Sequence, residues 1–383
     1  MNQIKNFYLT SFLKNQTYFA PVFILLLQFY HLSFQEIFWV FTIGSIISFI
    51  LEIPSGVIAD LYGKRNSLLF AKFLIFISFI IFGFANNFWA FIFAQIIFEF
   101  GNAFRSGTET SYVYDYLKKN KDALSYAEVK GKQKFYARLG ESIATAIGGT
   151  IASLLGFSYV FLFAAIPALA NFVLCLSWPN IDKKINISIK QIITFTKNSF
   201  KLIKNVTVKK IMLNISLFSA GVVAADKFIQ PYMVKANIPV FWIGIIYAII
   251  LGIAALAIKY SINISKKVGE NKTINYLSIL TAIPLFILAF TSITIFGVAL
   301  FVLVILFFNM RSPLITNVFQ DKIISKSRST VTSILELSKS LGKIIILPII
   351  GHFADFYSMF TALLIIGILL ILVSIAFPLA KKT

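Results

Sequence analysis

The chain carries little charge and few of the residues from which soluble enzymes and metal sites are built. Only 13% of its 383 residues are charged against 58% hydrophobic, with 42 phenylalanines, a balance that excludes an ordinary water-soluble globule. Its one cysteine, Cys175, lies inside an apolar run, which excludes an internal disulfide and the multi-cysteine metal spacings. The two histidines, His31 and His352, are isolated near helix ends, so no metal is expected. A Gly-rich phosphate loop of the Walker type is missing, and with it any support for nucleotide hydrolysis. No Ser/His/Asp or His/Cys/Asp arrangement points to an enzyme, and no cofactor is expected. The first apolar stretch is followed by no small-residue cleavage site and reads as a retained helix.

Acids are also scarce, with 15 Asp and Glu against 35 Lys and Arg, for a net charge of +20. A nucleic-acid partner would call for a basic face on a soluble domain. Here the lysines fall in short loops between apolar runs, and no nucleic-acid partner is expected. The runs extend from Tyr8 to Tyr30, Ile37 to Ile58, Leu68 to Ala85, Phe88 to Leu117, Phe135 to Leu155 and Tyr159 to Trp178, then from Ile211 to Val234, Pro239 to Ile262, Ile274 to Phe290, Ile293 to Val318, Val331 to Ile350 and Met359 to Leu379. A helix rising about 1.5 Å per residue crosses a hydrocarbon core of roughly 30 Å in about 20 residues. The runs are too long for barrel strands, and backbone in lipid must satisfy itself. The reading is an all-α integral membrane protein of twelve transmembrane helices.

Positively charged short loops stay on the cytoplasmic side. With both termini cytoplasmic, the 35 basic residues fall in cytoplasmic loops or adjoining helix ends except Arg105, Lys227, Lys235, Arg311, Lys339 and Lys343, of which only Lys235 lies in an opposite-side loop. A stretch with eight lysines and one acid, Asp182, separates two blocks of six helices. The expected organisation is a six-helix bundle over 1–178, a basic cytoplasmic linker over 179–210 that meets either anionic lipid headgroups or solvent, and a second six-helix bundle over 211–383. An offset of 206 residues pairs Gly63 with Gly269, Arg105 with Arg311, Ser106 with Ser312, Thr110 with Thr316 and Asp115 with Asp321, so the bundles read as pseudo-repeats. Such duplicated halves suggest a substrate site near mid-membrane and alternating access by rocking.

The sharpest local motif is the loop after the second helix, from Gly56 to Leu68. Its glycines allow a tight turn, and one acid beside two bases can form a charge relay. Gly56, Ala59, Asp60, Gly63, Lys64, Arg65 and Leu68 resemble the signature loop of the major facilitator superfamily; Leu61 stands where that family usually has a base. The resemblance implies the facilitator fold and a small-solute transporter in a bacterial cytoplasmic membrane. It also implies that Asp115, matching the acid that ends the fourth helix in many members, pairs with the loop. The second copy, from Ser265 to Gly269, keeps the glycine and loses the acid. The Gly-Pro step of the proton-antiporter signature is absent from the fifth helix, where Gly140, Gly148, Gly149 and Gly156 serve close packing equally well.

Ionisable groups at membrane depth are costly and generally face a cavity or a partner. Glu99 lies about 16 Å from Phe88 along its helix, near the midplane, and is the first candidate for a proton- or substrate-binding carboxylate. Glu336 and Lys343 share a face of the eleventh helix with Ser340; Lys339 either binds an anionic group or pairs with Glu336. Asp226, Lys227 and Gln230 supply polar groups on the seventh helix. Together with Glu99 these form the expected proton or substrate cavity. The expected cytoplasmic gate comprises Glu52, Gly56, Asp60, Gly63, Lys64, Arg65, Arg105, Glu109, Asp115, Arg311 and Asp321. The functional expectation is a secondary transporter, with proton-coupled export ahead of proton-coupled uptake and of a non-transporting receptor or membrane enzyme. Its partners would be a small solute, protons and membrane lipids, and a monomer would suffice.

Overall fold

Helices fill nearly all of the chain because long apolar runs leave the backbone no partner in lipid but itself. The computed structural model describes residues 3–120, 125–181, 206–291, 293–322 and 328–377. Its helices are α1 (Gln3–Leu13), α2 (Phe23–Phe29), α3 (Phe34–Tyr62), α4 (Lys64–Phe84), α5 (Phe88–Arg105), α6 (Thr108–Asn120), α7 (Tyr126–Leu155), α8 (Tyr159–Leu176), α9 (Val206–Lys235), α10 (Val240–Val268), α11 (Glu270–Phe290), α12 (Ile295–Asp321), α13 (Arg328–Phe356) and α14 (Met359–Ala376). Among the described residues, eight helices are by themselves long and apolar enough to cross a membrane. The described fold is all-α, and its helices are consistent with the twelve expected segments, two of which are interrupted.

Those interruptions correct the sequence reading. The first run, read as continuous from Tyr8 to Tyr30, is α1 and α2 separated by a non-helical stretch in which Gln16 donates from its backbone to Leu13 O, Thr17 to Asn15 O and Ala20 to Thr17 O. Apolar periodicity does not register such a break, because its polar residues, Lys14 to Thr17, are few. The fourth run, read as continuous from Phe88 to Leu117, breaks between α5 and α6, where Gly107 adopts φ +60°. The expected linker's residues 182–205 lie outside the described residues.

The repeat is visible in the backbone. Helices α3 and α4 map onto α10 and α11 end for end at the offset of 206. Gly63 (φ 96°, ψ 135°) and Gly269 (φ 95°, ψ 141°) make the same left-handed turn between them. That conformation favours glycine because a Cβ would strain it. Helix α9, by contrast, is continuous where α1 and α2 are interrupted.

Two compact units share the chain. One comprises Met1–Tyr30, Ile47–Ile192 and Val240–Ala248. In it α4 packs on α5 and α8, and α1 on α7. Phe7, Leu68, Tyr112, Cys175 and Trp178 form part of its apolar core. Gly149 and Gly244 let α7 and the start of α10 approach until a Cβ on Gly149 would stand 2.8 Å from Phe241 O. The other unit comprises His31–Ile46, Ile193–Pro239 and Ile249–Thr383. Its α11 packs on α12 and α14, and its α9 on α13, over a core that includes Ile211, Ile215, Leu314 and Phe319.

Candidate functional site

In the first unit, α5 carries Glu99 two turns before its end, with both carboxylate oxygens occupied. The Ser48 hydroxyl of α3 donates to Oε2 at 2.7 Å, and the Gln95 amide, one turn earlier on α5, donates to Oε1 at 3.1 Å. Two donors lower the cost of holding charge at membrane depth, and neither is itself charged. A half-buried carboxylate so placed can take up and release a proton as its surroundings change.

In the same unit, Lys14 Nζ donates to Glu109 Oε2 at 3.0 Å. Arg105 binds Asn102 Oδ1 at 2.7 Å and lies within electrostatic reach of both Glu99 and Glu109. Lys72 is buried on α4, donating to Asn171 Oδ1 at 2.6 Å with Nζ 4.5 Å from the centre of the Trp178 ring. Neutral partners and a ring face are how a desolvated ammonium is held without a carboxylate against it.

The salt bridge expected at the signature loop is formed: Lys64 Nζ meets Asp115 Oδ2 at 2.5 Å and Ser111 Oγ at 2.6 Å. Arg65 reaches the end of another helix. Its Nε donates to Trp178 O at 2.6 Å and its NH2 to Leu176 O at 2.7 Å, so it closes the C-terminal carbonyls of α8, where a cation also meets the negative end of the helix dipole. Asp60 is exposed and Glu52 half-buried on the last turns of α3, and Gly56 has open space where a Cβ would go.

The second unit repeats this loop in its backbone and changes its charges, with Lys266, Glu270 and Asn271 at the positions of Asp60, Lys64 and Arg65. Asn317 donates to Glu270 Oε1 at 3.0 Å, which is the Lys64–Ser111 contact at the 206-residue offset. Glu270 thus stands at the repeat position of Lys64, and Asp321 at that of Asp115. A cavity at this place is lined by Lys266, Gly269, Glu270, Asn317, Asp321 and Lys322. Arg311 is buried above it, donating to Ser278 Oγ at 2.7 Å and to Asn214 Oδ1, with the Phe218 ring 3.8 Å from its guanidinium carbon. It ties α9, α11 and α12 together.

Among the other expected cavity residues, Asp226 and Lys227 approach to 3.7 Å, and Lys227 Nζ stands 4.2 Å from the centre of the Phe41 ring. Gln230 is buried one turn beyond Asp226. Glu336 and Lys339 form the internal pair, at 2.7 Å, and Lys343 follows one turn later. His31 and His352 are both exposed. Lys14, Lys72 and Ser48 escaped the sequence reading: the two lysines lay near the cytoplasmic ends of apolar runs, where the positive-inside rule already explains a base. Asp355 was also missed; it accepts from the backbone N–H of Phe34 at 2.9 Å and of Gln35 at 2.8 Å, and nothing in a lone acid at the end of α13 announces a cap for α3.

These features meet an independent comparison: residues 8–345 match the Major Facilitator Superfamily. The chain belongs to this superfamily. An uncharacterised MFS-type transporter of Methanocaldococcus jannaschii is 24% identical over 239 residues, 61% of this chain and 60% of that protein. Among solved structures, the nucleoside transporter NupG has a TM-score of 0.75 at 19% identity, covering 98% of each chain. A POT family transporter in complex with 5-aminolevulinic acid has a TM-score of 0.79 at 12% identity, covering 98% of this chain and 95% of that one. A D-xylose-proton symporter has a TM-score of 0.71 at 15% identity, covering 98% of this chain and 96% of that one. At such identities the likeness is one of fold. This facilitator is a multi-pass membrane protein with the fold of those transporters.

Proposed function

We propose that this facilitator is a secondary transporter that moves a small solute by alternating access and couples the movement to protons through Glu99. The observation that carries the reading is the carboxylate at membrane depth held by two uncharged donors, Ser48 and Gln95. Protonation turns one oxygen of Glu99 from acceptor to donor and removes a charge from a low-dielectric site, which changes the relative stability of states that solvate it differently. Asp226, Lys227, Gln230, Glu336, Lys339 and Lys343 supply the remaining polar groups of the pathway. Glu52, Gly56, Asp60, Gly63, Lys64, Arg65, Arg105, Glu109, Asp115, Arg311 and Asp321 serve the cytoplasmic gate and its packing, with Lys64–Asp115 as a latch. The protein works as a monomer in a cytoplasmic membrane with both termini inside.

Proton-coupled export is the direction favoured by the resemblance to small bacterial facilitators. Coupled uptake is the second reading, favoured by the likeness in fold to a D-xylose-proton symporter. Purified protein in liposomes with a trapped pH dye, given inward gradients of a chemically varied solute panel, separates them. Solute-driven alkalinisation of the lumen means antiport and export, and acidification means symport and uptake. Glu99→Gln, which keeps the shape and removes the titration, is expected to abolish the pH response. A Glu99→Gln variant with wild-type coupling would remove this residue from the mechanism.

A further inference from the structure

The first span is interrupted where its counterpart in the second half is continuous. The apolar run begins at Tyr8, so the break that follows Leu13 lies about 10 Å into the span. Non-helical backbone at that depth persists only where it is packed in protein or lines a polar cavity, and interrupted spans are where facilitative folds place solute contacts.

The register of the neighbours shows what lies beside it. Phe7 meets Tyr112 and Tyr116 edge-on while Lys14 meets Glu109, so α1 and α6 run antiparallel with Thr10 between the two contacts. Gln133 Nε2 donates to Phe7 O at 3.3 Å and the Tyr8 and Tyr136 rings stack, so α7 runs parallel to α1 on another side. Four buried oxygens in this small region have no hydrogen-bond partner among the described residues: Glu109 Oε1, Gln133 Oε1, Asn6 Oδ1 and Thr10 Oγ1. Each residue is at least nine-tenths buried. The Thr10 hydroxyl does not make the bond to the carbonyl one turn back that Ser11 and Thr42 make. Buried polar atoms are seldom left unsatisfied, and a concentration of them in one place calls for a ligand or ordered water.

The chemistry of the set narrows the ligand. Three of the four oxygens only accept, so the group they want is an O–H or N–H donor. Lys14, Lys72, Arg105 and Lys130 all lie within electrostatic reach of Glu109, so positive charge already exceeds negative there and a cationic ligand is repelled. An anionic ligand would bring further acceptors to oxygens that only accept. We propose that the break in the first span opens onto a subsite, formed by Asn6, Thr10, Gln133 and Glu109, for an uncharged hydroxyl-rich part of the transported solute. This rests on the transporter reading and names the solute class within it.

Equilibrium binding to the full-length protein in nanodiscs tests the subsite without requiring transport. The probes are radiolabelled D-xylose and uridine, both neutral, and D-glucuronate and D-glucosamine, charged with opposite sign. At least one neutral probe is expected to bind more tightly than either charged one. Thr10→Val with Gln133→Leu, which removes acceptors and leaves the charge unchanged, is expected to weaken that binding at least tenfold, while Thr10→Ser retains it. Should the double variant fail to fold, Thr10→Val alone carries the test, with a several-fold loss expected. The subsite is overturned if wild type binds neither neutral probe, if glucuronate or glucosamine binds best, or if the Thr10 and Gln133 variants bind as wild type does. Intact binding without transport in liposomes would count against the transport reading and leave the subsite standing.

Discussion

Replacing Gly148 by alanine is expected to destabilise the protein because a backbone carbonyl occupies the space a side chain would need. A Cβ on Gly148 would stand 2.0 Å from Tyr18 O and 3.2 Å from Pro21 Cγ. Real Cβ contacts essentially never fall below 3.0 Å, so either α7 or the Tyr18 peptide must withdraw by about 1 Å, against close-packed neighbours. Overpacking of this kind costs about 1–3 kcal/mol, and the better helix propensity of alanine returns at most about 1 kcal/mol. Gly131, on the same helix, has nothing within 4 Å of a built Cβ; Gly131→Ala is expected to be neutral or to stabilise by up to about 1 kcal/mol. The opposite signs of two identical substitutions in one helix are the test. Thermal unfolding of the detergent-solubilised protein, followed by loss of the monodisperse peak, should place Gly148→Ala below wild type and Gly131→Ala at or above it. A Gly148→Ala protein as stable as wild type would mean that the interrupted span does not lie against α7, and the subsite argument would lose its wall.

Three further outcomes follow from the geometry. The Lys64–Asp115 bridge is partly exposed, with 17% and 42% of its side chains accessible, so Asp115→Asn should cost no more than about 1 kcal/mol of stability; it should instead change the accessibility of cysteines placed at the two ends of the pathway, and the charge-swapped pair should restore it. Asp355→Asn keeps one acceptor but removes the carboxylate at the start of α3, an effect of about 0.3–1 kcal/mol, to be read as increased labelling of a cysteine at position 34; unchanged labelling would deny the cap a role. Glu128, in the capping box that starts α7, is held below the ordinary carboxylate range first by the Ser125 backbone N–H and then by its hydroxyl. A carboxyl with a lowered folded-state pKa contributes stability above its unfolded-state value and loses it as pH falls through the folded one, so Ser125→Ala should raise the Glu128 titration midpoint, measured by carboxyl-carbon NMR.

The fold was legible, and a side could be assigned as an expectation, because both are written in features that need no third dimension. Apolar length marks spans, loop lysines mark a side, and a 206-residue offset between glycines marks a repeat; the paired turns at Gly63 and Gly269 confirm that offset in the backbone. The two interruptions were not legible. A break costs only a handful of residues, and Lys14 to Thr17 lay close enough to the amino terminus to pass as an interfacial end. The partners of charges were equally hidden, since sequence spacing limits contacts within a helix but says nothing of contacts between helices. Arg65 is an example: its bonds to the carbonyls of Leu176 and Trp178 at the end of α8 are not readable from the loop that carries it. Glu336 and Lys339 were the favourable case: at i and i+3 the helix itself brings them together.

The repeat also shows where the two halves have been put to different use. Lys64 reaches Ser111 and Asp115 in the first unit; at the same positions of the second, Glu270 takes Asn317, and an acid rather than a lysine stands opposite Asp321 in the repeat. The contact geometry is preserved and the attraction is not. A duplicated latch would hold both halves equally, and opening would then require breaking two bridges of similar strength. Among the described residues the bridge forms at these positions in the first half alone, so the cost of opening falls on Lys64 and Asp115, and the second loop lines a cavity with Glu270 and Asp321. Glu270→Lys should therefore rebuild the missing bridge to Asp321 and shift the accessibility of pathway cysteines in the direction opposite to Asp115→Asn. If it shifts nothing, the loop of the second unit takes no part in the latch, and the asymmetry between the halves is a matter of packing alone.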